Sequence, residues 1–562
     1  MPRHDSQRAV SRRAFLRAGA LGGLGAALAA GALPAAVLAQ TSAKRTPRPM
    51  PRVPLAAGPH ADLEEATLAQ LQQRLQSGQL TSHALCTAYL ARIQALDRRG
   101  PTLRAVIETN PEALQIAAQL DRERQAGKVR GPLHGIPVLV KDNIATADRM
   151  KTTAGSLALE AAVVTRDSFV AERLRAAGAI LLGKTNLSEW ANFRSSQSSS
   201  GWSARGGQCR NPYVLDRSPC GSSSGTGAAI AASLAAVGVG TETDGSIVCP
   251  SGMNGLVGLK PTVGLISRAG IIPISHTQDT AGPMARTVTD AAILLNALAG
   301  ADPRDAATVE AAGHIAPDYT QFLDAKGLQG ARLGVVRAKF FGYSPETDAV
   351  IEKCIEDLRR LGAVIVDPVE IPHLGEYDEA EFAVLLYEFK TDLNAYLADL
   401  AQSPVRTLED IIAFNKQNAG REMAWFGQDL FEKAQAKGPL TDKDYLDALE
   451  KCQRLSRTEG LDAVFAPQQL DALIAPTGAP AWTIDLVNGD HFLGASSTPA
   501  AVSGYPTITV PAGESFGLPV GLTFIGTRWS EGTLLRLAYA YEQALSPRKP
   551  PRFDPTVDTS RG

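Results

Sequence analysis

From Ser218 to Ser246 the chain reads SPCGSSSGTGAAIAASLAAVGVGTETDGS, a run with almost no side-chain bulk. A flexible Gly/Ser linker has no reason to lead straight into AAIAASLAAVGVG, whose small residues suit only a helix and a strand packed closely on their neighbours. A phosphate-cradling loop is excluded because no lysine follows Gly225, and Ile230 stands where a dinucleotide loop needs its third glycine. GSSSG formally satisfies the GxSxG elbow, with Ser223 in the middle and His276, His314, His373 and His491 downstream. An elbow must follow a strand, however, and the preceding GGQCRNPYVLDRSPC is polar, Pro-containing loop. The run therefore demands a tightly packed interior and puts serines at its edge.

The rest of the chain supplies that interior. ADLEEATLAQLQQRLQSG (61–78) opens on an Asp62-x-x-Glu65 capping box and places Leu68, Leu71 and Leu75 on one helical face. A second helix, capped by Thr81, carries Leu85, Tyr89, Ile93 and Leu96. GIPVLV (135–140) reads as a buried strand that stops at Lys141-Asp142-Asn143. Helix–glycine–strand units follow at 168–186, 228–243 and 348–372, and the β pattern returns in LDALIAPT, TITVPAG and LPVGLTFIG before a last helix. Strands alternating with amphipathic helices predict an α/β fold: a central twisted mixed sheet covered by helices on both faces. Residues of about 300–460 form a more helical part, whose aromatics (Phe382, Phe389, Trp425, Phe426, Phe431) serve as core or as one wall of a substrate cleft.

At the N-terminus, SRRAFLR (11–17) precedes an apolar Gly/Ala/Leu run ending in VLA at Ala39. A charged start, an apolar middle and small residues before the cut predict a twin-arginine export signal over 1–39. A Pro-rich linker (40–60), one domain (61–545) and a tail (546–562) follow. The expected partners are the twin-arginine export machinery and a small substrate, in the periplasm or outside the cell, with no membrane anchor after cleavage. A formal net charge of −2 gives no pull toward nucleic acid. The six cysteines (Cys86, Cys209, Cys220, Cys249, Cys354, Cys452) show no metal spacing and are expected as free or buried thiols, and no metal or cofactor is implied.

Three ordered motifs, GIPVLVKDN, SPCGSSSGTGAAIAA and GTETDGSIVCPS, resemble the amidase signature family of serine hydrolases. The likeness continues through residues 255–298 and near the C-terminus, covering most of 61–545. It implies a Ser-Ser-Lys triad with Lys141 as base, Ser222 as relay and Ser246 as nucleophile. It also implies a cis peptide before Ser222 and an oxyanion hole from the backbone N–H groups of Thr243, Asp244, Gly245 and Ser246. The chemistry fits the positions, because a lysine can act as base only where burial disfavours its ammonium form, and Lys141 ends an apolar strand.

Departures from the family pattern narrow the expectation. Cys220 and Ser224 replace glycines, Glu242 stands for Asp, and Asp244 brings a carboxylate next to the nucleophile, where it disfavours a free carboxylate nearby. The GTETDGS form is most similar to bacterial peptide amidases, which implies removal of the C-terminal amide from peptides. Other readings are an aryl or aliphatic acylamide hydrolase, or a periplasmic protein that binds amides or peptides without catalysis.

Overall fold

A computed structural model of the chain describes residues 60–559. The export signal and all but the last residue of the linker lie outside the described residues.

Eleven strands form one sheet: β1 (Val106–Thr109), β2 (Pro137–Lys141), β3 (Ile180–Thr185), β4 (Val237–Glu242), β5 (Val257–Lys260), β6 (Thr280–Ala285), β7 (Arg332–Val336), β8 (Val364–Val369), β9 (Ala472–Pro476), β10 (Thr507–Ser515) and β11 (Leu518–Ile525). Their order is β1-β3-β2-β4-β6-β5-β10-β11-β9-β7-β8. Parallel pairs at β3-β2-β4 and β9-β7-β8 flank a central antiparallel block. The expected mixed α/β sheet is therefore present, flanked by helices such as Ser224–Ala231, Val288–Leu298 and Glu531–Leu545. Strands β2, β3 and β4 are buried along their whole length, as continuous apolar or small-residue runs require when a sheet is covered.

The small-residue run does what its composition demands. Helix Ser224–Ala231 is buried at every position and packs on β2, β3 and β4. A Cβ on Gly225 would sit 2.2 Å from the Ala105 carbonyl oxygen and 2.5 Å from the Asn186 nitrogen, so only glycine admits this approach. The first helix starts later than its sequence suggests. Thr67, with Gln70, forms the capping box, and the helix runs Leu68–Gln76 with Leu68, Leu71 and Leu75 buried. Asp62 lies instead in a short 3-10 turn, Ala61–Leu63. In the helical part, Leu386, Phe389, Phe426 and Phe431 are buried, whereas Phe382 and Trp425 are exposed. The aromatics therefore divide between core and surface. No helix among the described residues is long and apolar enough to cross a membrane.

Two cysteines depart from the expected free thiols. Cys220 and Cys249 form a disulfide, while Cys86, Cys209, Cys354 and Cys452 are free and buried. The bridge ties the loop two residues before Ser222 to the helix three residues after Ser246. Spacing alone does not reveal such a pairing. The signal was that Cys220 occupies a position where the family motif has glycine.

Candidate active site

Parallel pairing of β2 with β4 sets Val138, Leu139 and Val140 beside Val237, Gly238 and Val239. Lys141, one residue further along β2, thereby reaches Thr241 at the end of β4. Its Nζ lies 2.9 Å from Thr241 Oγ1, 3.2 Å from the Thr241 carbonyl and 2.7 Å from Ser222 Oγ. Asn143 Nδ2 donates to the same Thr241 hydroxyl at 3.0 Å. Burial drives the Lys141 ammonium down to about 7, and the Asp279 and Glu242 carboxylates pull it part of the way back.

Ser222 sits on the loop that enters helix Ser224–Ala231, and the Gly221–Ser222 peptide is cis. Its neighbours fix that loop from several sides. Ser223 N–H donates to the Ser246 carbonyl at 3.1 Å, and Ser188 N–H donates to the Ser222 carbonyl at 3.1 Å. Ser223 Oγ donates to the Thr241 carbonyl at 3.0 Å and accepts from the Thr241 N–H at 3.2 Å. With its hydroxyl locked between those backbone groups, Ser223 has no histidine partner, which removes the elbow reading. Ser224 Oγ donates to the Cys220 carbonyl at 2.6 Å.

Exposure grades across the three residues. Lys141 is 0 %, Ser222 1 % and Ser246 8 % exposed, so Ser246 stands nearest the solvent and Lys141 deepest. A turn at Gly245, with φ of 78°, delivers Ser246 to the start of the short helix Val248–Met253. That turn is held by Glu242, whose carboxylate accepts from the N–H groups of Gly245 (2.9 Å), Ile247 (2.7 Å) and Val248 (3.0 Å). Gly245, expected among the oxyanion donors, is thus already engaged. The N–H groups of Thr243, Asp244 and Ser246 have no acceptor among the described residues.

Of the residues that support the site, Thr241, Asp279 and Lys260 went unread in the sequence. Thr241 contacts the lysine, and Glu242 shapes the turn that carries Ser246. Asp279, buried and raised to about 6 chiefly by desolvation, accepts from Thr243 Oγ1 at 2.6 Å. Lys260, buried and lowered to about 8 by desolvation, donates to the Tyr505 carbonyl at 2.8 Å and faces the Glu242 and Asp244 charges. Asp244 accepts from Ser497 Oγ at 2.5 Å and Thr498 Oγ1 at 2.7 Å. The Glu242 substitution in GTETDGS was the visible hint. Thr241 lies unmarked in the same motif, and Asp279, Lys260, Ser497 and Thr498 come from segments distant in sequence.

A large mixed sheet holds a desolvated lysine at a strand end beside two Gly-flanked serines on adjoining turns, and the comparisons with known proteins place the chain among amide-hydrolysing enzymes. The family model Amidase matches residues 84–535, and the chain belongs to that family. A probable amidase of Arabidopsis thaliana is 45% identical over 87% of this chain and 92% of its own length. A glutamyl-tRNA(Gln) amidotransferase subunit of Myxococcus xanthus is 34% identical over 86% of this chain and 97% of its own. Among solved structures, native peptide amidase from Stenotrophomonas maltophilia is 55% identical with a TM-score of 0.84, covering 87% of this chain and 99% of that one.

Proposed function

We propose that this amidase removes the C-terminal amide of peptides, releasing ammonia through a Ser246–Ser222–Lys141 triad. The observation that carries the mechanism is the buried Lys141 Nζ, lowered to about 7 and 2.7 Å from Ser222 Oγ. A neutral amine has two hydrogens and one lone pair. The hydrogens go to the Thr241 carbonyl and hydroxyl, and the lone pair accepts the Ser222 proton. Ser222 in turn takes the Ser246 proton as Ser246 Oγ attacks the amide carbon. The oxyanion meets the N–H groups of Thr243, Asp244 and Ser246, where losing one donor typically costs about 3 kcal/mol. Ser222 then protonates the departing nitrogen, ammonia leaves, and water hydrolyses the acyl-Ser246 ester.

The peptide-amide substrate is supported by the 55% identity to a peptide amidase. Glutamine is the competing substrate, because a relative at 34% identity is an amidotransferase component. Ammonia release from peptide amides, glutamine, asparagine, anilides and aliphatic amides tests the choice. Peptide amides are expected to give the highest kcat/KM, and release chiefly from glutamine would overturn the reading. The export pattern at 1–39 supports work in the periplasm or outside the cell, with the twin-arginine machinery as partner.

The mechanism fixes the sign of the pH dependence. Below about 7 Lys141 is an ammonium and has no lone pair, and above it the amine is free. For a blocked, non-titrating peptide amide, kcat/KM is expected to rise with pH through about 7 and then level. A profile that falls as pH rises through 7 would remove Lys141 as the base.

A further inference from the structure

The carboxylates beside the nucleophile exceed what the chemistry uses. Asp244, two residues before Ser246, accepts only from the neutral hydroxyls of Ser497 and Thr498. Glu381, 8 % exposed on helix Asp378–Asp399, accepts from Gln278 Nε2 at 2.9 Å, and Gln278 Nε2 also reaches the Thr243 carbonyl at 3.4 Å. Gln278 therefore links Glu381 directly to the turn that carries the nucleophile. Neither Asp244 nor Glu381 makes an ion pair among the described residues. Burial first, then the Asp244 and Asp378 carboxylates, push Glu381 up to about 8.

An independent observation marks the same place. Tyr377, fully buried at the start of that helix, has a hydroxyl with no hydrogen-bond partner among the described residues. Burial first, then the field of Glu381, Asp244 and Asp378, holds the proton on its phenol. A buried hydroxyl without a partner is a desolvation cost unless a ligand satisfies it. Two carboxyl groups without an ion pair, which the Lys260 ammonium reaches only through space at Asp244, and one orphan hydroxyl make a site short of a positively charged donor.

We propose that Asp244, Glu381 and Tyr377 form a subsite for a cationic group flanking the scissile amide, so that the enzyme prefers amides of arginine or lysine. A guanidinium has donors for both carboxyl groups and for the phenol oxygen at once. Recognition by charge of this kind deepens the peptide-amide reading and rests on it for the identity of the scissile group.

The test uses Nα-acetyl-arginine amide and its neutral isostere Nα-acetyl-citrulline amide. Calorimetry on the full-length Ser246→Ala protein measures binding without turnover. Arginine amide is expected to bind at least about 10-fold tighter than citrulline amide. That ratio is expected to fall below about 2-fold in Ser246→Ala/Asp244→Asn and to drop several-fold in Ser246→Ala/Tyr377→Phe. Equal binding, tighter citrulline binding, or no measurable binding of either amide at millimolar concentration would overturn the subsite. Turnover by the native enzyme separates this failure from the other. Equal ammonia release from both amides sinks the subsite alone. No release from either amide sinks the peptide-amide reading, and the calorimetric ratio then still decides the subsite.

Discussion

Lys141→Ala is expected to lower kcat for ammonia release from a peptide amide by at least about 10³-fold, with KM changed far less. On the proposed mechanism the lysine does not meet the substrate itself. It lies fully buried behind Ser222 and reaches the reacting atoms only through that hydroxyl. Removing it leaves both serines without a proton acceptor while the cleft keeps its shape. Truncation also empties volume in a packed interior, so Lys141→Met is the companion variant: it keeps the side chain's length and removes the nitrogen. Both are expected to be equally inactive and to melt cooperatively. An active Lys141→Met protein would show that the nitrogen is dispensable and that the base lies elsewhere.

Ser222→Ala and Ser223→Ala are expected to diverge sharply although the residues are adjacent. On the proposed mechanism Ser222→Ala breaks the relay between Lys141 and Ser246, and a loss of about 10³-fold in kcat is expected. Ser223→Ala instead strips two hydrogen bonds from the buried Thr241 peptide groups. That costs about 1–3 kcal/mol of stability, read as a lower Tm, with kcat per folded molecule within about tenfold of native. The reverse pattern, a dead Ser223→Ala beside an active Ser222→Ala, would restore the elbow arrangement.

Much of this site was legible in the residues. GIPVLV is a short apolar run that reads as a buried strand, and its end at Lys141 puts an amine where solvent does not reach it. The small-residue run announced close packing, and the structure supplies the neighbours, Ala105 and Asn186, that forbid a Cβ at Gly225. What was not legible depended on partners far along the chain. Asp62–Glu65 and Thr67–Gln70 both satisfy a capping box, and the apolar phase beginning at Leu68 favours the second. Gly245 looked like an oxyanion donor because glycine frees the backbone there. Only the placement of Glu242 shows that its N–H is already taken. The Cys220–Cys249 bridge spans 29 residues, and nothing in that spacing distinguishes a bond from two buried thiols. Asp244 stood out in sequence as a charge beside the nucleophile. Its confrontation with Glu381, on a helix from the more variable part, emerges only from the fold.

On the proposed mechanism Ser246, and neither Ser222 nor Ser223, attacks the substrate. Incubating the folded protein with a fluorophosphonate and mapping the modified peptide by mass spectrometry tests it most directly. A single adduct is expected on Ser246, formed at least about 10²-fold more slowly in Lys141→Met. An adduct on Ser222 or Ser223, or full ammonia release by a protein whose Ser246 never reacts, would contradict the account.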